Sequence, residues 1–121
     1  NGQFILPREV IKAACNHFSD MPKATIKAST FCCGGGGGLL TDDLIELRIK
    51  GAMPRMQALK QSQENDGVNT LAAICAICKS QFSKVLPNYD FDPYMIVSVH
   101  QLVSDALVLS DKSQTKAEDS L

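Results

Sequence analysis

The sequence predicts an α/β fold: a small, mainly parallel sheet with flanking helices, and cysteine pairs at the strand C-terminal ends. Three observations lead there. Two short apolar runs, Val68–Ile74 and Met95–Val99, have the length and composition of buried strands. Segments with helical spacing of apolar residues alternate with them, the order expected of parallel strands joined by crossover helices. Each cysteine pair, Cys32–Cys33 and Cys75–Cys78, follows a segment that reads as extended.

Taken from the N-terminus, Pro7–Phe18 sets Val10, Ile11, Ala14 and Phe18 on one helical face, with Pro7 in the first turn. "SDMPKA" ends that helix. Ala24–Phe31 is β-tolerant (Thr25, Ile26, Thr30, Phe31) and reads as a strand or an extended lead-in to the double cysteine. Beyond the glycines, Thr41 suits an N-cap, and Asp42 and Asp43 suit the positive end of the helix dipole. Leu44, Ile45, Leu47 and Ile49 lead a helix that Pro54 is expected to kink or restart before it continues through Gln57–Gln63. "ENDG" is a turn. Val68–Ile74 then delivers Cys75 at a strand end, and a helix is expected from about Cys78 to Leu86. "PNYDFDPY" is a loop, Met95–Val99 the second buried strand, and "HQLVSDALVL" a short final helix. The polar, aperiodic stretch 110–121 reads as a disordered tail, leaving one domain over residues 1–109.

Composition narrows the function classes. With 45% hydrophobic and 21% charged residues the chain reads as a soluble domain. A net charge of −1 offers no electrostatic footprint for nucleic acid. No apolar run approaches the ~18–20 residues of a membrane span. The start at Asn1, without Met or a signal peptide, suggests a fragment or a processed chain. The five cysteines (Cys15, Cys32, Cys33, Cys75, Cys78) accompany no export signal, in a chain large and apolar enough to fold without disulfides. A reducing, cytoplasmic setting is expected, where such residues bind metal or carry out redox chemistry.

The run "FCCGGGGGLL" asks why two cysteines should meet five glycines. In a parallel sheet the strand C-terminal ends share one edge, where ligands bind, so the two cysteine pairs are expected to converge. Four thiolates suit zinc or an iron–sulfur cluster. Glycine allows the backbone to approach such a group and to adopt positive φ, which makes Gly34, Gly35 and Gly36 candidate cofactor-binding residues. Other readings carry less. The CxxC alone would suit a thioredoxin-like redox pair, but the rest of that pattern is absent. A phosphate-binding loop lacks its Lys-Ser/Thr, and a flexible linker does not begin with a double cysteine. Structural zinc has the right thiolate count, although adjacent ligands sit awkwardly in a closed tetrahedral site.

"CCGGGGG" followed by "CAIC" resembles the cysteine-rich CCG domain of heterodisulfide-reductase-type proteins. Within that family "FCCGGGGGLLTDD", "KGAMPRM" and "AICAICKSQFSKVLP" are most similar to the C-terminal part of DsrK-type subunits, the catalytic subunits of the membrane complex associated with sulfite reductase. The resemblance runs from about Phe4 to Leu109. It implies a noncubane [4Fe–4S] cluster with Cys32, Cys33, Cys75 and Cys78 as metal ligands, rather than nucleophiles, in an oxidoreductase acting on sulfur groups. The substrate implied is a disulfide or trisulfide of a small sulfur-carrier protein of the DsrC type. The partners implied are membrane electron-transfer subunits at the cytoplasmic face. The alternative is a non-catalytic module with zinc or a cubane cluster on the same four thiolates. Family spacing puts one further cysteine at or before Asn1, so the domain is expected to be truncated at its N-terminus.

Cys15 does not match that upstream position and is expected to be a buried apolar residue on its helix, apart from the site. His17 reads as a surface or capping group, and His100 as a structural hydrogen-bonding residue with a proton-donor role as its alternative. Met53 and Met56 read as core or interface. Lys79, beside Cys78, reads as solvated, with thiolate activation as the alternative.

Overall fold

The computed structural model describes residues 2–108, so the tail expected at 110–121 lies outside the described residues. Helix α1 spans Leu6–Ala14, α2 Ile45–Asp66 and α3 Ala76–Val85; strand β1 spans Leu71–Ala73 and β2 Ile96–Ser98, and helix α4 spans Val99–Ala106. The strands pair in parallel, with Leu71 opposite Ile96 and Ala73 opposite Ser98. Helix α3 lies between them in sequence, so β1–α3–β2 is the crossover unit that parallel pairing requires. The fold is therefore α/β, with a two-stranded parallel sheet and flanking helices.

The core gathers where α2, α3 and the sheet meet: Ala52, Met56, Leu59, Leu71, Phe82, Val85, Leu86 and Ile96 are buried together, with Cys33 among them. Burying side chains such as Met56 and Leu59 stabilises the fold by about 1.5–3 kcal/mol each. Helix α1 packs against α4, closing the N-terminal segment onto the end of the sheet unit. Arg8 on α1 grips Asp20 through two hydrogen bonds, Nε to Oδ2 at 2.6 Å and Nη2 to Oδ1 at 3.0 Å. Ser19 donates to Asp66 at the far end of α2.

Two local expectations are corrected. Ala24–Phe31 is not a strand. It forms two short 3-10 turns, Lys23–Thr25 and Lys27–Ser29, with Lys27 in the left-handed region at φ 55°. β-tolerant residues without a neighbouring strand have no ladder to join. Pro54 does not restart its helix: α2 runs through it from Ile45 to Asp66, continuing through Gln57–Gln63 as expected. A proline inside a helix costs about 3 kcal/mol through its missing N–H and its clash with the preceding turn. In the turn before it, the Arg48 carbonyl accepts from Gln81 Nε2 at 3.1 Å and the Ile49 carbonyl from the Tyr89 hydroxyl, contacts that tie this part of α2 to α3 and the segment after it. Ala52, Met56 and Leu59, on both sides of Pro54, are buried. The helix stops at Gly67, whose left-handed backbone (φ 65°) returns an N–H to the Gln63 carbonyl.

Candidate functional site

A broad cleft of about 1420 Å³ opens beside the sheet, and Cys33, Cys75 and Cys78 line it. Each arrives by a different local device. Cys75 follows β1 by one residue and occupies the N-cap of α3; Cys78 stands in the first turn of that helix. Cys33 comes from the loop before α2 and is buried against the core. That loop is held by a polar network beneath it. The fully buried Gln81 donates from Nε2 to the Cys33 carbonyl at 3.0 Å and accepts from Arg48 Nε at 2.8 Å, while Arg48 also donates to the Thr41 carbonyl. One side chain on α3 thus couples the double-cysteine turn to α2.

The two adjacent cysteines differ in their surroundings. Cys33 is buried, whereas Cys32 is exposed, does not line the cleft, and accepts a hydrogen bond from the Gly34 N–H at 3.3 Å. The glycines divide as well. A Cβ on Gly34 would lie 2.8 Å from the Gly51 carbonyl carbon, and one on Gly35 would lie 2.8 Å from Gln81 Cβ. These two glycines let the turn press against α2 and α3. Gly34 also holds φ at +87°, in the left-handed region. Gly36 has open space beside it, and none of Gly34, Gly35 and Gly36 lines the cleft.

The thiols differ electrostatically. The N–H groups of Cys78 and Ile77 at the start of α3 hold the Cys75 pKa below the ordinary thiol value. Burial pushes the Cys78 thiol up to about 12, and the neighbouring sulfurs of Cys33 and Cys75 add to the effect. Three negative sulfurs this close oppose one another unless a multivalent cation lies among them, in which case the same thiols deprotonate as ligands. The donor set is all sulfur, soft and suited to iron–sulfur ligation. Among the described residues no three His, Cys, Asp or Glu side chains are gathered tightly enough around one bare metal ion.

Cys15, expected apart from the site, is half-buried just beyond α1 and lines the same cleft. His17 is exposed at its rim. His100 is exposed at the start of α4, away from the cleft, and makes no side-chain hydrogen bond among the described residues. Met56 is core, Met53 is exposed, and Lys79 is exposed outside the cleft. Sequence reasoning missed Gln81 and Arg55. Gln81 stands three residues after Cys78 and just before Phe82, on the stripe that continues to Val85. A polar residue in an apolar stripe was the available signal. Arg55 adjoins Met56 on the buried face of α2 and lines the cleft.

Comparison with known proteins adds to this geometry. Over 104 residues, 86% of this chain, the sequence is 43% identical to the Hdr-like menaquinol oxidoreductase iron-sulfur subunit 2 of Archaeoglobus fulgidus. It is 43% identical over the same share to the Hdr-like menaquinol oxidoreductase iron-sulfur subunit of Archaeoglobus profundus. This chain is similar to one segment of Hdr-like subunits. The names of both relatives support an Hdr-like family and a redox role. The chain spans 19% and 18% of the length of these two relatives. No protein-family model matches the chain, and no solved structure matches it significantly. Among the described residues no helix is long and apolar enough to cross a membrane.

Proposed function

We propose that this chain is the cysteine-rich segment of an Hdr-like iron–sulfur subunit, in which Cys32, Cys33, Cys75 and Cys78 hold a [4Fe–4S] centre of the noncubane, CCG-domain type. The observation that supports it most is the meeting of Cys33, Cys75 and Cys78, from two separate segments, in one cleft at a helix N-terminus. That this occurs in a chain similar to proteins named iron-sulfur subunits gives the thiols their chemical class. Cys32, in the same turn as Cys33, supplies the fourth sulfur. When bound, such a centre stores electrons and offers iron to a sulfur ligand.

The chain's own residues have distinct tasks. The N-terminal N–H groups of α3 favour negative charge at Cys75. Gln81 fixes the Cys33 backbone, and Gly34 and Gly35 let that turn seat against α2 and α3. The open cleft admits a disulfide or trisulfide, carried by a small sulfur-carrier protein of the DsrC type. Two electrons and two protons convert a disulfide into two thiols, and the electrons come from membrane subunits that oxidise a quinol. This is the chemistry of a DsrK-like subunit working at the cytoplasmic face of the membrane.

Anaerobic reconstitution with iron and sulfide tests the reading. The expected product holds iron and acid-labile sulfide in comparable amounts, with broad visible absorption. Zinc alone, or protein that takes up neither iron nor sulfide, would refute it.

A further inference from the structure

The sequence holds three arginines, and two are fully engaged. Arg8 is paired with Asp20 and also donates to the Phe4 carbonyl. Arg48 is bound by Gln81 and the Thr41 carbonyl. Arg55 differs. It is half-buried in the wall of the cysteine cleft, and its hydrogen bond among the described residues is one long contact, Nη1 to the Thr25 carbonyl at 3.4 Å. A guanidinium carries five N–H donors, so most of its hydrogen-bonding capacity stays open toward the cleft. No carboxylate lies within ion-pair distance of it among the described residues.

A half-buried cation is costly unless negative charge faces it. Burial lowers the Arg55 pKa, and the groups that oppose this are, in order, Cys78, Asp20 and Cys33. Asp20 is already neutralised by the two-pronged grip of Arg8. Among the described residues, the sulfurs of Cys78 and Cys33 are the remaining groups that favour the cation.

We propose that Arg55 is a positioning residue for the thiolate centre, its guanidinium serving as the fixed counter-charge to the sulfurs of Cys33 and Cys78. The inference rests on the iron–sulfur reading above and adds the residue that tunes the centre. Two consequences follow. Negative charge gathered on the ligands is held more tightly with Arg55 present, so iron is retained against chelators. Reduction adds further negative charge, so the cation raises the reduction potential.

The test compares wild type with Arg55→Gln, Arg55→Lys and Lys79→Gln, each reconstituted with iron and sulfide. Iron retention against a chelator and the midpoint potential, by spectroelectrochemical titration, are measured for each. Arg55→Gln is expected to weaken iron retention by about tenfold and to move the potential to a more negative value. Arg55→Lys, which keeps the charge, is expected to lie between it and wild type. Lys79→Gln removes an exposed cation adjacent in sequence to Cys78 but outside the cleft, and is expected to leave both readings unchanged. Should Arg55→Gln take up no iron while Arg55→Lys does, with equal circular dichroism, the charge requirement stands. Wild-type retention and potential in Arg55→Gln would overturn the proposal and leave the iron–sulfur function intact. Equal losses in Arg55→Gln and Arg55→Lys would also overturn it, because shape rather than charge would then be at work. Wild-type protein without iron would overturn the function itself, and this inference with it.

Discussion

Replacing Gly34 with Ala isolates what the glycine run contributes. The added Cβ would lie 2.8 Å from the Gly51 carbonyl carbon, 2.9 Å from the Ala52 nitrogen and 3.2 Å from the Arg48 carbonyl oxygen. All three are backbone atoms of α2, which cannot turn aside as a side chain would. The residue also holds φ at +87°, where an L side chain costs about 1–2 kcal/mol. Overpacking against a fixed backbone adds about 1–3 kcal/mol. Together they predict a loss of about 2–5 kcal/mol, a large part of the ~5–15 kcal/mol that holds a domain of this size. Gly36→Ala is the internal control. A Cβ there meets no heavy atom of the described residues within 4 Å beyond its chain neighbours, and Gly36 has no left-handed φ, so the variant's stability should stay within about 0.5 kcal/mol of wild type. Urea unfolding of the metal-free protein, followed by circular dichroism, measures both. Equal midpoints for Gly34→Ala and Gly36→Ala would show that the turn does not press on α2, and the packing account of the glycines would fail.

Gln81→Ala should destabilise by about 2–4 kcal/mol, since it leaves the Arg48 guanidinium and the Cys33 carbonyl without their buried partner; a loss below about 0.5 kcal/mol in the same unfolding assay would contradict this. Burial pushes the Asp20 carboxyl up, but the Arg8 hydrogen bonds and charge outweigh it and hold the pKa below the ordinary 3.8. A depressed carboxyl contributes stability above its unfolded pKa and loses it as pH falls through the folded value. Urea midpoints should therefore drop more steeply for wild type than for Arg8→Gln below about pH 4, by no more than about 1 kcal/mol in this partly exposed pair. In the metal-free chain iodoacetamide should modify Cys75 well before Cys78, because the α3 N–H groups favour the Cys75 thiolate while burial keeps Cys78 protonated up to about pH 12. Peptide mapping by mass spectrometry reads the order, and faster labelling of Cys78 would count against the assigned environments.

Much of the site's chemistry was legible because it depends on residue type and local order. The run Val68–Ile74 marks a strand whose centre is β1, and Cys75 follows it at a helix start, as short-range patterning indicates. The expected convergence of both cysteine pairs rested on a strand before each; no strand precedes Cys32–Cys33, Cys32 stays outside the cleft, and the polar network under Gln81 holds the Cys33 backbone beside Cys75 and Cys78. What stayed hidden is tertiary. Nothing local shows that Gln81 and Tyr89 will tie the Arg48 and Ile49 carbonyls of α2 to the rest of the fold. Nothing local separates Gly34, wedged against α2, from Gly36 in open space. Cys15 reads as a helix-face residue from its apolar neighbours, but it stands just beyond α1 and lines the cleft. Arg55 looks like any helix arginine until it is seen to have no carboxylate partner among the described residues.

The most direct test of the account counts iron and acid-labile sulfide in wild type and in single Cys→Ser variants at positions 32, 33, 75, 78 and 15, reconstituted side by side under anaerobic conditions. Cys33→Ser, Cys75→Ser and Cys78→Ser should lose most of both. Cys32→Ser should lose them too, whereas Cys15→Ser should keep the wild-type content. Equal iron and sulfide in wild type and in the variants at 33, 75 and 78 would contradict the claim that this cleft holds the centre.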